Sequence, residues 1–225
     1  MKHKKSYLII SIIFVSLFMT LIDGVLQPPY AIKSQIKLLL FFFIPFFYLS
    51  KNKEELPYFK QLFKFKKQAF KQSLWLGILI YLTIIIAYFI LKNFIDFNVI
   101  IASLSQSANV SAKNFIYVAI YISTINSLLE EIFYRGYAFL FLKRHTSRSF
   151  AYICSSLLFA IYHLGMSGNW FSPILLGLSL TGLAIGGCLF NYLNEKTNTI
   201  YPSWMVHMAA NLAINTIGLV MFGII

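Results

Sequence analysis

The sequence predicts an all-α protein, a bundle of about seven transmembrane helices with a basic amphipathic helix on the membrane surface. Of its 225 residues, 59% are apolar and only 12% are charged, and the mean hydropathy is +0.73. A soluble domain of this length could not bury so much apolar surface, because its core grows more slowly than its chain. The solvent that fits such a composition is the lipid bilayer.

Seven apolar segments can serve as spans, and uncertain ends leave a range of about six to eight, since a span needs roughly 20 apolar residues. The first segment has no small-x-small cleavage site after it, so we expect an uncleaved span. The second is the shortest, and the fourth is long enough to tilt. The segments are 7–26, 34–50, 73–95, 115–142, 149–166, 172–193 and 200–224.

The net charge of +12 is concentrated in short clusters between the apolar segments, and seven lysines fall between Lys51 and Lys71. No basic groove is interleaved with exposed aromatic residues, so we expect no nucleic-acid partner. Cytoplasmic loops of membrane proteins are rich in Lys and Arg. The count in alternate loops predicts a cytoplasmic amino terminus and, with seven spans, a carboxyl terminus outside the cell membrane. Abundant Lys, Asn, Ile and Phe indicate an AT-rich, bacterial genome.

The stretch 57–71 is too charged to cross the membrane. Phe59, Leu62, Phe63 and Phe70 recur at helical spacing with lysines mostly between them. This pattern is typical of an amphipathic helix on an anionic leaflet, and a solvated loop is the alternative.

Small residues and cysteines complete the expectations about packing. Gly182 and Gly186 form a small-xxx-small pair, which predicts a close helix contact. Cys154 and Cys188 lie in apolar segments, and we expect both to be buried and reduced.

Ionisable residues inside spans are costly, so each one is a candidate functional residue. Asp23, Lys37 and Lys92 lie near span ends, where a side chain can extend its charge to the interface. The deeper polar residues are Glu130, Glu131, Arg135, His163, His207 and Asn211.

The fourth segment carries Glu130, Glu131 and Arg135. Glu131 and Arg135 are four residues apart and can pair on a helix, which leaves Glu130 without a local counter-ion. A carboxylate in a low-dielectric site is a stronger base than one in water, as a general base for water requires. The alternative is a buried polar brace between helices.

Two further segments carry polar side chains at a similar depth. His163 lies near the middle of the fifth segment, and His207 and Asn211 share one helix face in the seventh. Each alone is more typical of a hydrogen bond between helices. Because three helices place these groups within about one or two turns of a common level, we expect them to surround one point and polarise a water. Asn211 or a histidine would stabilise an oxyanion.

Three motifs, in the fourth, fifth and seventh segments, resemble one known family. They are Glu130-Glu-x-x-x-Arg135, Phe159-x-x-x-His163 and His207-x-x-x-Asn211. Together they are similar to the signature of the CAAX protease and bacteriocin-processing (CPBP) family of intramembrane proteases. The resemblance runs from Phe115 to the carboxyl terminus. It suggests a division into a variable region 1–110, with three spans and the surface helix, and a catalytic core 111–225, within one membrane domain.

The resemblance implies a role for each residue of the motifs. Glu130 would activate a water that His163 and His207 position, and Asn211 would stabilise the oxyanion. Glu131, Arg135 and Phe159 would support the site. The family has been described both as metalloproteases and as glutamate-dependent enzymes. A His-Glu-x-x-His helix is absent, although Glu130, His163 and His207 would be acceptable ligands for zinc.

The expected function is that of an endopeptidase acting on a membrane-associated protein or peptide. Bacteriocin self-immunity or peptide-signal processing would be the role suggested by bacterial relatives, and prenylated substrates are not expected in a bacterium. Two alternatives are a non-catalytic membrane scaffold and a small proton-coupled transporter. Against the transporter, the chain shows no paired inverted repeat of broken helices.

Overall fold

The computed structural model describes residues 2–168 and 170–225, and every regular element within these ranges is helical. Seven helices are long and apolar enough to cross a membrane, so the prediction of an all-α bundle of about seven spans is confirmed. In chain order the helices are α1 (Lys4–Leu26), α2 (Tyr30–Lys51), α3 (Leu56–Leu62), α4 (Lys67–Phe94), α5 (Phe97–Ala108), α6 (Phe115–His145), α7 (Arg148–Ser167), α8 (Pro173–Thr197) and α9 (Tyr201–Met221). Helices α3 and α5 are too short to span.

Helix α6 is the centre of the bundle. Half of its apolar stretch is buried inside the protein, against 6% for α4, which lies at the edge. Helices α7, α8 and α9 each contact α6, α1 packs along α7, and α4 runs along α9. The polar residues of α6 are therefore surrounded by protein, whereas the apolar faces of α4 are left for lipid.

Aromatic stacking fixes α2 and α7 against α6. The ring of Phe41 on α2 stacks on Phe133 with centroids 4.6 Å apart. Tyr134 stacks on Tyr162 of α7 at 5.6 Å, and Phe159 meets Tyr134 edge-on at 5.3 Å. Such contacts are worth about 0.5–1.5 kcal/mol each beyond the area that they bury. They hold three helices in register around the residues that precede Phe133.

The backbone of α6 departs from regular α geometry on both sides of one short stretch. Ile122–Asn126 and Glu131–Phe141 have π-helical hydrogen bonding, and Ser127–Glu130 between them is α-helical. The wider turns change the direction of the side chains that follow. Such turns within helices are frequent at functional sites.

The helix in the basic stretch 57–71 is shorter than the sequence predicted. Helix α3 ends at Leu62, Lys66 is extended, and Lys67 already begins α4. The break follows from docking: Leu62 is buried, and its carbonyl accepts a hydrogen bond of 3.0 Å from the Ile200 amide. The apolar side of α3 thus packs on the protein, and the exposed lysines lie on the outer side.

Close helix contacts are made by glycines other than the predicted pair. The space beside Gly182 and Gly186 is open, so the prediction that they pack closely is wrong. Instead, Gly187 lies against Ser156, and Gly165 on α7 lies against the backbone of Thr20 on α1.

Both cysteines are free, but Cys188 is exposed along α8 rather than buried as predicted. Cys154 is half-buried.

We expect Gly165→Val to weaken the contact between α1 and α7. A Cβ at this position would overlap the backbone oxygen of Thr20, and overpacking costs about 1–3 kcal/mol. The apparent Tm in detergent should fall by several degrees, whereas Gly182→Val, which meets open space, should leave it nearly unchanged. Equal Tm values for the two variants would contradict the packing assigned to Gly165.

Candidate active site

The two oxygens of Glu130 have different surroundings. Glu130 is 1% exposed. Oε1 accepts hydrogen bonds from Asn126 Nδ2 at 2.7 Å, from the Tyr162 hydroxyl at 2.7 Å and from Lys37 Nζ at 3.2 Å. Oε2 is buried and has no hydrogen-bond partner among the described residues. One oxygen is therefore saturated with donors and the other is available.

Two imidazoles face the available oxygen. His207 Nε2 lies 3.6 Å from Glu130 Oε2, and His163 Nε2 lies 4.0 Å from it. On the far side of each ring, His207 Nδ1 is 2.9 Å from Glu131 Oε1 and His163 Nδ1 is 2.7 Å from the Phe159 carbonyl. Three helices (α6, α7 and α9) thus bring Glu130, His163 and His207 to one point.

Glu131 and Arg135 form a buried pair next to this point. Both are fully buried, and Arg135 Nε lies 3.6 Å from Glu131 Oε2. Glu131 also accepts a hydrogen bond from the Ser203 hydroxyl. Since its other oxygen bonds His207, Glu131 both neutralises the arginine and orients an imidazole.

Aromatic rings take the place of hydrogen-bond acceptors around Arg135. None of its three guanidinium nitrogens has a hydrogen-bond partner among the described residues. The guanidinium carbon lies 4.2 Å from the Phe159 ring centroid and 5.1 Å from that of Phe190. A guanidinium is well suited to such stacking. Phe159 also meets His163 edge-on at 4.7 Å, so it supports the arginine and one histidine together.

Lys37 points into the bundle, contrary to the prediction from the sequence. It was expected to extend to the interface, and Glu130 was expected to lack a counter-ion. Both expectations are wrong, because Lys37 Nζ reaches Glu130 Oε1 at 3.2 Å, with its side chain 12% exposed. Helix α2 turns the lysine inwards, and the nearby carboxylate stabilises its charge. Asp23, by contrast, pairs with Lys33 at 3.5 Å.

Asn211 lies further along the bundle than Glu130. Its Nδ2 donates a hydrogen bond of 3.2 Å to the Ile122 carbonyl, two turns before Glu130 on α6. The amide that touches Glu130 is that of Asn126, one turn before it. Asn211 keeps a second N–H that this bond does not use.

Three residues that contact Glu130 were not predicted as site residues, although the sequence contains a signal for each: Lys37, Asn126 and Tyr162. Lys37 is an ionisable residue within a span, the class that marks functional sites in membranes. Asn126 precedes Glu130 by four residues, and Tyr162 adjoins His163. What the sequence lacked was the direction in which α2 presents its lysine.

The structure shows no preformed zinc site among the described residues. In the part of the chain that the structure describes, no group of three or more His, Cys, Asp or Glu side chains could hold a metal. A cation, the Lys37 ammonium, already lies at the carboxylate that would be a ligand.

We expect Arg135→Ala to reduce stability and the amount of protein in the membrane. The change leaves the Glu131 carboxylate buried without its cation, and breaking a buried pair costs about 3–5 kcal/mol. Immunoblots of membrane fractions and Tm in detergent would measure the loss. Arg148→Ala is the matched control, because Arg148 pairs with Glu195 at 2.7 Å but is 63% exposed. Similar behaviour of the two variants would show that the buried pair has no special importance.

One comparison with known proteins identifies a family. Residues 112–213 match the model of the Rce1-like type II CAAX prenyl endopeptidases. The search of curated proteins and the search of solved structures gave no match. The matched residues include Glu130, Glu131, Arg135, His163, His207 and Asn211, the polar residues of the three motifs. The resemblance to the CAAX protease (CPBP) family predicted from those motifs is thereby confirmed over residues 112–213, somewhat less than half of the chain.

Proposed function

We propose that this protein is an intramembrane endopeptidase that hydrolyses a peptide bond of a membrane-associated protein or peptide with a water activated by Glu130. The observation that carries the proposal is the unequal environment of the two Glu130 oxygens. Oε1 is held by three donors, whereas Oε2 faces two imidazole nitrogens within 4.0 Å. The match of residues 112–213 to the CAAX endopeptidase family supports the same reaction class.

The partners of the two Nδ1 atoms assign the histidine tautomers. A carbonyl oxygen only accepts hydrogen bonds, so His163 Nδ1 carries a proton towards Phe159. An ionised Glu131 likewise accepts from His207 Nδ1. In their neutral forms both rings therefore present an Nε2 lone pair. These two lone pairs and Glu130 Oε2 form a set of three acceptors around one position.

A water at that position can donate one hydrogen to Glu130 Oε2 and the other to an Nε2 atom. This leaves an oxygen lone pair directed away from the acceptors, towards a substrate carbonyl. As the oxygen bonds to the carbonyl carbon, its proton passes to Glu130. Collapse of the tetrahedral intermediate breaks the C–N bond, and the proton on Glu130 is transferred to the leaving amine.

Because Lys37 pairs with Glu130, the carboxylate would not act as a base for lack of a counter-ion, as the sequence predicted. The ammonium and two neutral donors stabilise the ionised carboxylate, so the group is in the form that accepts a proton. Its strength comes from position rather than from the absence of a counter-ion. For the oxyanion we assign the second N–H of Asn211, which the Ile122 carbonyl leaves available.

The orientation proposed from the charges is an amino terminus in the cytoplasm and a carboxyl terminus outside. It places the exposed lysines of 60–71 at the anionic inner leaflet. Bacteriocin self-immunity and peptide-signal processing stay predictions of role, as does the bacterial origin.

We expect Glu130→Gln to reduce cleavage by about 100- to 10,000-fold, the range for loss of a general base, with Tm preserved. The assay uses purified protein in detergent, with a farnesylated CAAX peptide and an unmodified hydrophobic peptide as separate substrates, and mass spectrometry of the new termini. Glu54→Gln, at a carboxylate that is 61% exposed, is the control.

Wild-type turnover by Glu130→Gln would refute Glu130 as the base. Failure of the wild type to cut either peptide, together with ion-gradient-dependent transport in vesicles, would favour the transporter. Failure in both assays would favour the scaffold.

A chelator should leave cleavage unchanged, because the proposed step uses Glu130 as the base and the described residues include no preformed metal site. Activity of the purified protein is compared before and after prolonged dialysis against EDTA, and the metal content is measured in the same samples. Loss of activity that zinc restores would show that the site rearranges to hold a metal.

A further inference from the structure

The three hydrogens of the Lys37 ammonium are all engaged inside the protein. Nζ lies 2.7 Å from Asn126 Oδ1, 2.7 Å from the Tyr162 hydroxyl and 3.2 Å from Glu130 Oε1. An ammonium has three donors and no acceptor. Lys37 is therefore not available to bind a substrate or an oxyanion, and its action must pass through these three neighbours.

The same contacts set the direction of two further hydrogen bonds. Because Lys37 can only donate, Asn126 must present its oxygen to the lysine, which turns its NH₂ group towards Glu130 Oε1 at 2.7 Å. The Tyr162 oxygen accepts from Lys37, so its own proton points at Glu130 Oε1, also at 2.7 Å. The lysine thus orients both neutral donors that hold this oxygen.

Among the described Lys and Arg side chains, Lys37 is also the one that pairs with the carboxylate, at 3.2 Å. Its ammonium lies over the Tyr162 ring, 5.0 Å from the centroid. An opposite charge at this range favours the ionised form of a carboxylate. The charged or titratable groups that face or adjoin Glu130 from α2, α6, α7 and α9 are Tyr30, Lys37, Glu131, Tyr134, Arg135, Tyr162, His163 and His207.

The position of Lys37 in the chain separates it from the motifs. It lies on α2, outside the residues 112–213 that match the family. Phe41, one turn after Lys37 on α2, stacks on Phe133 and so fixes α2 against α6. The site is therefore completed by a helix from the amino-terminal region.

We propose that Lys37 is a positioning residue for the hydrolytic reaction. It orients Asn126 and Tyr162 onto Glu130 Oε1 and keeps the carboxylate ionised, so that Oε2 alone accepts the proton of the water. The inference rests on the proposed function, and it assigns a role that the three motifs do not contain.

The kinetic test compares Lys37→Met, Lys37→Arg and Lys33→Met. We expect Lys37→Met to lower kcat by about 10- to 100-fold, as loss of an outer partner typically does, with KM within about twofold because the lysine does not meet substrate. Lys37→Arg keeps the charge and should recover part of kcat. Lys33, one turn earlier on α2, pairs with Asp23, and Lys33→Met should retain wild-type kcat.

An infrared measurement tests the same inference without substrate. The difference between wild type and Glu130→Gln at neutral pH should show an ionised carboxylate. The difference between Lys37→Met and the Lys37→Met/Glu130→Gln double variant should show a protonated carboxyl group. Tyr162→Phe keeps the ring and removes the hydroxyl, so it tests the orientation by kcat if Lys37→Met fails to fold.

The outcomes separate the two proposals. Inactive Glu130→Gln, together with wild-type kcat and an ionised Glu130 in Lys37→Met, would overturn the role of Lys37 and leave the protease intact. Equal cleavage by wild type and Glu130→Gln would overturn the proposed function. The infrared comparison would then still decide whether Lys37 holds the carboxylate ionised.

Discussion

The ion pair between Glu131 and Arg135 is the constraint on which the rest of the bundle depends. Both side chains are fully buried in a protein whose natural surroundings are apolar. Removing such charges from water is expensive, so every neighbour must compensate. Ser203 and His207 bond the carboxylate, and Phe159 and Phe190 cover the guanidinium. These contacts tie α7, α8 and α9 to α6 around one level of the bundle.

Two adjacent carboxylates on α6 consequently have separate tasks. Glu131 is committed to Arg135, Ser203 and His207, which leaves it no part in binding a water. Glu130 is held through one oxygen only, and its second oxygen faces two imidazole nitrogens. Glu131 thus fixes the His207 ring that Glu130 faces. Glu130 ends the α-helical turn between two π-helical segments, and Glu131 begins the second of these segments.

The site also joins two parts of the chain with different sequence signals. The motif residues lie on α6, α7 and α9, whereas Lys37 belongs to α2. Its three hydrogen bonds and the stacking of Phe41 on Phe133 make α2 part of the wall around Glu130. A helix assigned from sequence to a variable region thus supplies the cation for the proposed base.

The sequence by itself determined the class of fold, the spans, the meeting of Glu130 with His163 and His207, and the pairing of Glu131 with Arg135. These follow from local rules: apolar length sets a span, and a spacing of four residues sets a pair on a helix. Only the tertiary structure decided the inward direction of Lys37, the contacts of Asn126 and Tyr162 with Glu130, and the use of Gly165 and Gly187 for close packing. These depend on the rotation of each helix about its axis, which packing against neighbours sets.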